Sequence, residues 1–271
     1  MRVVVLLFEL VAVVLFALEA FYYALRWYEI GGSAVGRRRG LLNVAGSFLL
    51  QYAIDVLLLL VRPLAIVWRF RARRDGHRPP VVCLHGYGGS RLNLFVIAWR
   101  LRRDGFENVA GVSYPSLGGD VHEKARRVAA EIDRIAEATG SEKVDIVAHS
   151  MGGLVARAYI RDHGGARRVR RLVTLGTPHN GTKVAVLAPD PLARSMAPDS
   201  RMLADLARDD PVPALVAVTS IFSTFDAKIL PHRSASYRGA MNVEVEGIGH
   251  DAMLFSPKVY VLIREALASN P

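Results

Sequence analysis

Apolar positions along this 271-residue chain follow two regimes. From Val3 to Leu25 they run on with only Glu9 and Glu19 between them, and a second run, Leu41 to Val61, carries Asn43, Gln51 and Asp55. At ~1.5 Å per residue these runs make helices of about 34 and about 31 Å, enough to cross a bilayer core of about 30 Å. Their polar positions repeat with helical spacing. Arg2 and Glu9 lie a heptad apart, as do Glu19 and Arg26, and Gln51 and Asp55 lie four apart, so the polar groups form stripes. A carboxylate at the bilayer centre costs about 2.5 to 3.5 kcal/mol. The pattern therefore predicts either a membrane hairpin with its stripes turned inward or a helical cap on the membrane surface or on the soluble domain. A cleavable signal sequence is disfavoured, because Ala17-Leu18-Glu19-Ala20 has the wrong spacing for cleavage and aromatic Phe21-Tyr22-Tyr23 follows. Those aromatics, with Trp27 and Tyr28, read as an interfacial belt. Arg37, Arg38 and Arg39 follow the first run, and Arg62, Arg69, Arg71, Arg73 and Arg74 follow the second, so charge leaves the orientation open.

After Arg78-Pro79-Pro80 the regime changes, dividing the chain into a hydrophobic, Arg-flanked helical region (1–78) and a second domain (79–271). Short apolar runs at Val81–Leu84, Val109–Tyr114, Val144–Ala148, Val169–Leu175, Leu215–Phe222 and Val243–Val245 suit strands buried on both faces of a parallel sheet. Between them Ala125, Val128, Ala129, Ile132, Ile135 and Ala136 keep helical spacing and stop at Gly140. Helical patterns also occupy Leu94–Arg103, Leu154–Arg161 and Pro257–Ala268. Strand and helix in alternation predict an α/β domain with a mostly parallel central sheet.

Composition narrows the classes. With 51% hydrophobic residues and a mean hydropathy of +0.22, the chain is too apolar to be disordered or to act purely on nucleic acid. A single cysteine, Cys83, excludes an internal disulfide. The net charge is +10, and residues 1–78 hold 11 Arg against 5 acids, so basic charge gathers beside the apolar runs and points to anionic lipid. No nucleic-acid motif appears, and a general bias toward Arg also raises the charge.

Candidate chemistry sits where a strand meets a helix. Val144-Asp145-Ile146-Val147-Ala148-His149-Ser150-Met151-Gly152-Gly153 reads as a nucleophile elbow, in which small neighbours let a strained backbone push the Ser150 hydroxyl outward. Ala148 stands where Gly-x-Ser-x-Gly has its first glycine. Upstream, Leu84-His85-Gly86-Tyr87-Gly88-Gly89 offers a glycine-rich turn whose N–H groups suit an oxyanion, with the amides of Tyr87 and Met151 as the natural donors. That turn lacks Gly-x-Gly-x-x-Gly and Gly-Lys-Ser/Thr, so phosphate binding ranks below. A serine needs a base, and His250, after Val243–Gly249 and before the last helix, is the best placed of eight histidines. His149 adjoins the nucleophile but points elsewhere from the elbow, His85 and His179 shape loops, and His77, His122, His163 and His232 are in surface context. Asp226 follows the next-to-last strand, Leu215–Phe222, and is the candidate acid; Asp205, Asp209 and Asp210 are fallbacks, and Asp251 would face the wrong side. Metal-ligand spacing is absent, and no cofactor is expected.

Taken together, Val82–Gly89, Val144–Gly153, Val173–Thr182, Thr219–Asp226 and Gly247-Ile248-Gly249-His250 make residues 79–271 resemble the small bacterial lipases of the α/β-hydrolase superfamily. The resemblance implies carboxylic-ester hydrolysis through an acyl-enzyme, with Ser150 as nucleophile, Asp226 as orienting acid, His250 as base, and Tyr87 and Met151 as the oxyanion hole. An acyltransferase or thioesterase on the same triad, or a catalytically silent membrane module, are the alternatives. The segment 183–213, with Leu187, Leu192, Met196, Met202, Leu203 and Leu206, is longer than in the minimal lidless lipases and reads as a lid, an acyl-binding wall or a plain surface insertion. The apolar N-terminal region has no counterpart in that family. A lipid or ester substrate is expected, with membrane association through residues 3–61, in the bacterial cell membrane.

Overall fold

Six short apolar runs line up edge to edge because each is buried on both faces and must find its hydrogen bonds sideways. In the computed structural model, which describes residues 2–29, 39–66, 70–74, 76–208, 210 and 212–269, they are β1 (Val81–Leu84), β2 (Val109–Val112), β3 (Val144–His149), β4 (Val169–Leu175), β5 (Ala217–Ser223) and β6 (Met241–Val245). Their order is β2-β1-β3-β4-β5-β6, and every neighbouring pair is parallel. Alternation along β1 divides the core. Val82 and Leu84 pack on the side of α4 (Val121–Thr139) and α5 (Met151–Asp162), while Val81 and Cys83 pack on the side of α3 (Phe95–Arg103) and α9 (Pro257–Ala268).

Local signals set the helix ends. Asp120 caps α4 by accepting from Glu123 N, and Gly140 closes it in the left-handed region at φ 72°. Ser256 caps α9, with Pro257 in its first turn. Several boundaries differ from the pattern, β2 ending at Val112 and β6 starting at Met241 among them. The fifth strand starts at Ala217, because Val212–Leu215 winds into the short helix α8, whose first amide bonds to the Asp210 carboxylate. Helix α5 starts at Met151, directly after Ser150, rather than at Leu154.

The segment 183–213 is built of a single turn (Lys183–Leu187) and the short helices α6 (Pro191–Arg194), α7 (Arg201–Ala207) and α8. Leu192, Met196, Leu203 and Leu206 join the core beneath it, while Val186 and Leu187 stay exposed. Arg157 of α5 ties it down, donating to the carbonyls of His179 (3.0 Å) and Leu206 (3.1 Å) and to the Asp210 carboxylate (2.7 Å).

The two N-terminal runs are helices α1 (Arg2–Glu29) and α2 (Arg39–Val61), packed on each other through Phe16, Tyr23, Phe48 and Tyr52. The expectation that their stripes turn inward on the hairpin is corrected. Glu19, Arg26, Gln51 and Asp55 face the α/β domain and bond to it, whereas Glu9 is exposed. The physical reason is supply: the domain offers a lysine, a carbonyl and a backbone amide to these groups, which a bare pair of helices lacks. Arg37, Arg38, Arg69 and Asp209, which figured in the sequence reading, lie outside the described residues.

Candidate active site

Ser150 sits between the last residue of β3 and the first of α5 with φ 55° and ψ −128°, a conformation that a non-glycine residue holds only when its surroundings dictate it. They do so here. Its N–H donates to Leu175 O (2.9 Å), and its carbonyl accepts from Thr177 Oγ1 (2.8 Å) and Gly153 N (3.0 Å). Two glycines make room. A Cβ on Gly86 would lie 2.8 Å from Ser150 Cβ, and one on Gly152 would lie 2.7 Å from the carbonyl oxygens of both Leu84 and His85. The elbow and the glycine turn after β1 are thus pressed together as only glycine allows. Ala148, in the place of the first glycine of the motif, is fully buried.

The turn itself is braced from beneath. His85 stacks on Tyr114 at 4.2 Å, Tyr114 donates its hydroxyl to the His85 carbonyl, and Gly88 N donates to Ser116 O. Among the described residues Tyr87 N–H has no backbone acceptor. Met151 opens a helix, so its N–H has no acceptor within that helix either. Both amides are therefore available at the same sheet edge.

At the ends of β5 and β6, two loops meet. His250 Nδ1 lies 2.7 Å from Asp226 Oδ2, with both side chains buried. The other carboxylate oxygen, Oδ1, accepts from the amides of Lys228 (2.8 Å) and Ile229 (2.9 Å), which fixes the carboxylate's direction. Burial alone lowers the basicity of His250, but the Asp226 charge and hydrogen bond outweigh it and raise the imidazole above its ordinary value. The ring of His149, next to Ser150, packs 4.6 Å from that of His250. Gly176, at φ 53°, packs against the acid and base; a Cβ there would stand 3.0 Å from Asp226 Oδ2 and 3.1 Å from His250 Nδ1. The structure thus brings Ser150, Asp226, His250, Tyr87 and Met151 to one edge of the sheet. The fallback acids go elsewhere: Asp205 faces His122 (3.6 Å), and Asp210 bonds Arg157 and Tyr237. Asp251 bonds Gln51 and Lys228.

The family model described as "alpha/beta hydrolase fold" matches residues 79–210. The chain has the α/β-hydrolase fold. Over 122 residues it is 29% identical to a triacylglycerol lipase of Pseudarthrobacter phenanthrenivorans, a match covering 42% of this chain and 38% of that relative. It therefore spans little more than a third of that lipase's length. Among solved structures it is similar to a mature lipase of Bacillus licheniformis (TM-score 0.61, 18% identity, 72% of this chain and 94% of that one). It is also similar to lipase B of Aspergillus fumigatus (TM-score 0.64, 20% identity, 74% of this chain and 56% of that one).

On this α/β-hydrolase fold the helical hairpin packs against the loops around the candidate site. Gly249, just before His250, packs so closely on it that a Cβ would come within 2.7 Å of Gln51 Oε1 and 3.2 Å of the Tyr23 hydroxyl. Arg26 donates to Thr224 O, Lys183 pairs with Glu29, and Arg62 donates to Ser116 Oγ beside the glycine turn. Sequence reasoning missed these contacts. Its only trace of them was the polar stripe on each helix, which marks a face without naming its partner.

Proposed function

We propose that this chain is a serine carboxylic-ester hydrolase that cleaves lipid-like esters through an acyl-enzyme. The observation carrying this reading is the 2.7 Å pairing of His250 Nδ1 with the buried Asp226 carboxylate, at the same sheet edge as the strained Ser150. With Nδ1 committed to Asp226, Nε2 takes the proton as Ser150 Oγ attacks the ester carbonyl. The amides of Met151 and Tyr87 receive the oxyanion. His250 then protonates the departing alcohol, and water deprotonated by the same ring attacks the acyl-serine and frees the acid. Asp226 keeps the ring in the useful tautomer and stabilises the imidazolium.

The exposed side chains support a lipid partner. Leu10, Val14, Leu18 and Phe21 form one ridge along α1, and Leu50, Leu57, Leu60 and Leu64 line the outer side of α2 and the turn after it. With the polar stripes spent on the enzyme, these ridges are the surface that a bacterial membrane would cover. Val186 and Leu187, exposed on the segment 183–213, give that segment the character of a lid or acyl-binding wall.

The test is a fluorophosphonate probe and a soluble short-chain nitrophenyl ester, applied to wild type and Ser150→Ala. Wild type should label and turn over, and Ser150→Ala should do neither while keeping its fold. An unlabelled wild type, or full activity in Ser150→Ala, defeats the assignment. Product analysis with competing alcohols and thioesters separates hydrolysis from acyl transfer and thioester cleavage.

A further inference from the structure

One ammonium, that of Lys228, lies among three carboxylates from three separate parts of the chain. Its Nζ stands 2.8 Å from Asp251 Oδ2, 2.9 Å from Asp55 Oδ2 and 3.0 Å from Glu19 Oε1. Gln51 completes the cluster. Its Nε2 donates to Asp251 Oδ2 (2.8 Å) and Asp55 Oδ1 (2.9 Å), and its Oε1 accepts from the backbone amide of Asp251 (3.0 Å). Lys228 is two residues from Asp226 and gives that carboxylate its own amide; Asp251 follows His250. We propose that Lys228 and Gln51 are positioning residues that lock the loops bearing Asp226 and His250 to each other and to the hairpin, so that the hairpin completes the active site. The proposal rests on the triad reading above and adds to it the parts that hold the acid and base in register.

The physical argument is one of alternatives. The loop of Asp226 is held on one side by Thr182, whose Oγ1 donates to Lys228 O (2.8 Å) and accepts from Leu230 N (2.9 Å), and the cluster holds its other side to the loop of His250. A small displacement of a base costs up to about 100-fold in rate. Charged groups out of water are stable only in a geometry that pairs them, so the cluster favours one relative placement of the four segments. Gln51 is buried and uses three of its hydrogen-bonding positions, two of them on Asp251. Burial disfavours the charge on Lys228, yet the three carboxylates raise it well above its ordinary value; Lys228 in turn holds Asp251 far below the usual carboxylate range against its burial.

The cluster also reaches the base electrostatically, which separates positioning from plain structural support. The groups facing His250 are Asp226, Asp251, Lys228 and the His149 ring, with Tyr23 and Gln51 of the hairpin against the adjoining Gly249 and Arg26 at the neighbouring Thr224. Asp251 raises His250 and Lys228 lowers it.

The experiment uses the full chain and a soluble short-chain nitrophenyl ester, recording kcat, KM and the pH profile of kcat/KM for Lys228→Met, Lys228→Arg, Asp251→Asn and Gln51→Ala. Lys228→Met should lose about tenfold or more in kcat with little change in KM, and its acid-limb midpoint should move up. Asp251→Asn should move the midpoint down, and Lys228→Arg should restore most of both losses. Gln51→Ala removes three hydrogen bonds without stranding an ammonium and should lower kcat on its own. If Lys228→Met does not fold, Gln51→Ala decides, and a wild-type kcat there overturns the proposal. Wild-type kcat and midpoint in folded Lys228→Met overturn it equally. Fluorophosphonate labelling of wild type keeps the two levels apart: labelled wild type with unaffected variants sinks this inference alone, while unlabelled wild type sinks the triad reading and this with it.

Discussion

The carbonyl of Thr224, just past the end of β5, accepts two hydrogen bonds from the guanidinium of Arg26, Nη2 at 2.8 Å and Nε at 3.1 Å. Arg26 also lies over the Phe225 ring at 4.4 Å, so one buried side chain of α1 grips the backbone and the side chain of the residues leading to Asp226. Replacing it with Met keeps much of the apolar stem and removes the grip. Arg26→Met is expected to lower stability by about 1.5 to 3 kcal/mol, the range for a hydrogen bond to a charged group, and to reduce ester turnover. Urea unfolding at neutral pH checks the first part. An unchanged midpoint would mean the hairpin is not docked through this residue.

Because Asp226 raises the basicity of His250, kcat/KM should climb with pH through a midpoint above about 6.5, the ordinary histidine value. Asp226→Asn should lose on the order of 10³ to 10⁴ in kcat and move that midpoint down, since a raising charge is removed. Asp205→Asn should leave both near wild type. Steady-state profiles from pH 5 to 9 decide, and a larger loss in Asp205→Asn would mean the acid has been misassigned.

Close packing at the elbow gives a pair of opposed outcomes. Gly86→Ala sets a methyl group 2.8 Å from Ser150 Cβ, so the turn or the elbow must shift, and activity should fall at least about tenfold with about 1 to 3 kcal/mol of stability. Ser150→Gly should be inactive yet more stable than wild type by about 1 kcal/mol, because glycine holds φ 55° without strain. Thermal melting of Ser150→Gly beside Ser150→Ala measures this, and a less stable Ser150→Gly contradicts the strain argument.

Three buried histidines make the fold acid-sensitive. Burial pushes His85 and His149 down to about 4, and burial with the neighbouring Arg157 pushes His179 well below its ordinary value. The folded state refuses protons that the unfolded chain binds from about pH 6.5 downward, so stability is full above that pH and falls toward pH 4, by on the order of 3 kcal/mol for each of His85 and His149. His250, shifted the other way, opposes only part of this. Urea midpoints at pH 7.5 and 5.0 should differ accordingly, and equal midpoints would show that these rings are not held neutral.

Much of the architecture was legible from residues alone. The runs Val81–Leu84 and Val169–Leu175 appear as strands with those same ends, because a segment apolar at every position has no other place than inside a covered parallel sheet. Gly140 ends α4 where the spacing stops, through a backbone conformation that glycine adopts freely. Ser150 and Gly86 stood out for a related reason, since a strained turn and a close approach restrict residue type locally. Less legible were edges governed by short-range competition, such as Leu215, which winds into α8 and is half-exposed instead of opening β5.

What the sequence determined by itself, then, was everything written into local periodicity and backbone freedom: the strands, the amphipathic helices, the elbow, the glycine turn and two long apolar helices. Only the tertiary structure decided which polar group meets which. Gln51 and Asp251 are 200 residues apart and Arg26 and Thr224 are 198 apart, and nothing in either neighbourhood specifies the other. A buried charge or amide is stable or ruinous according to the partner within about 3 Å of it, and that partner exists only once the sheet has brought distant loops to one edge and the hairpin has settled across them.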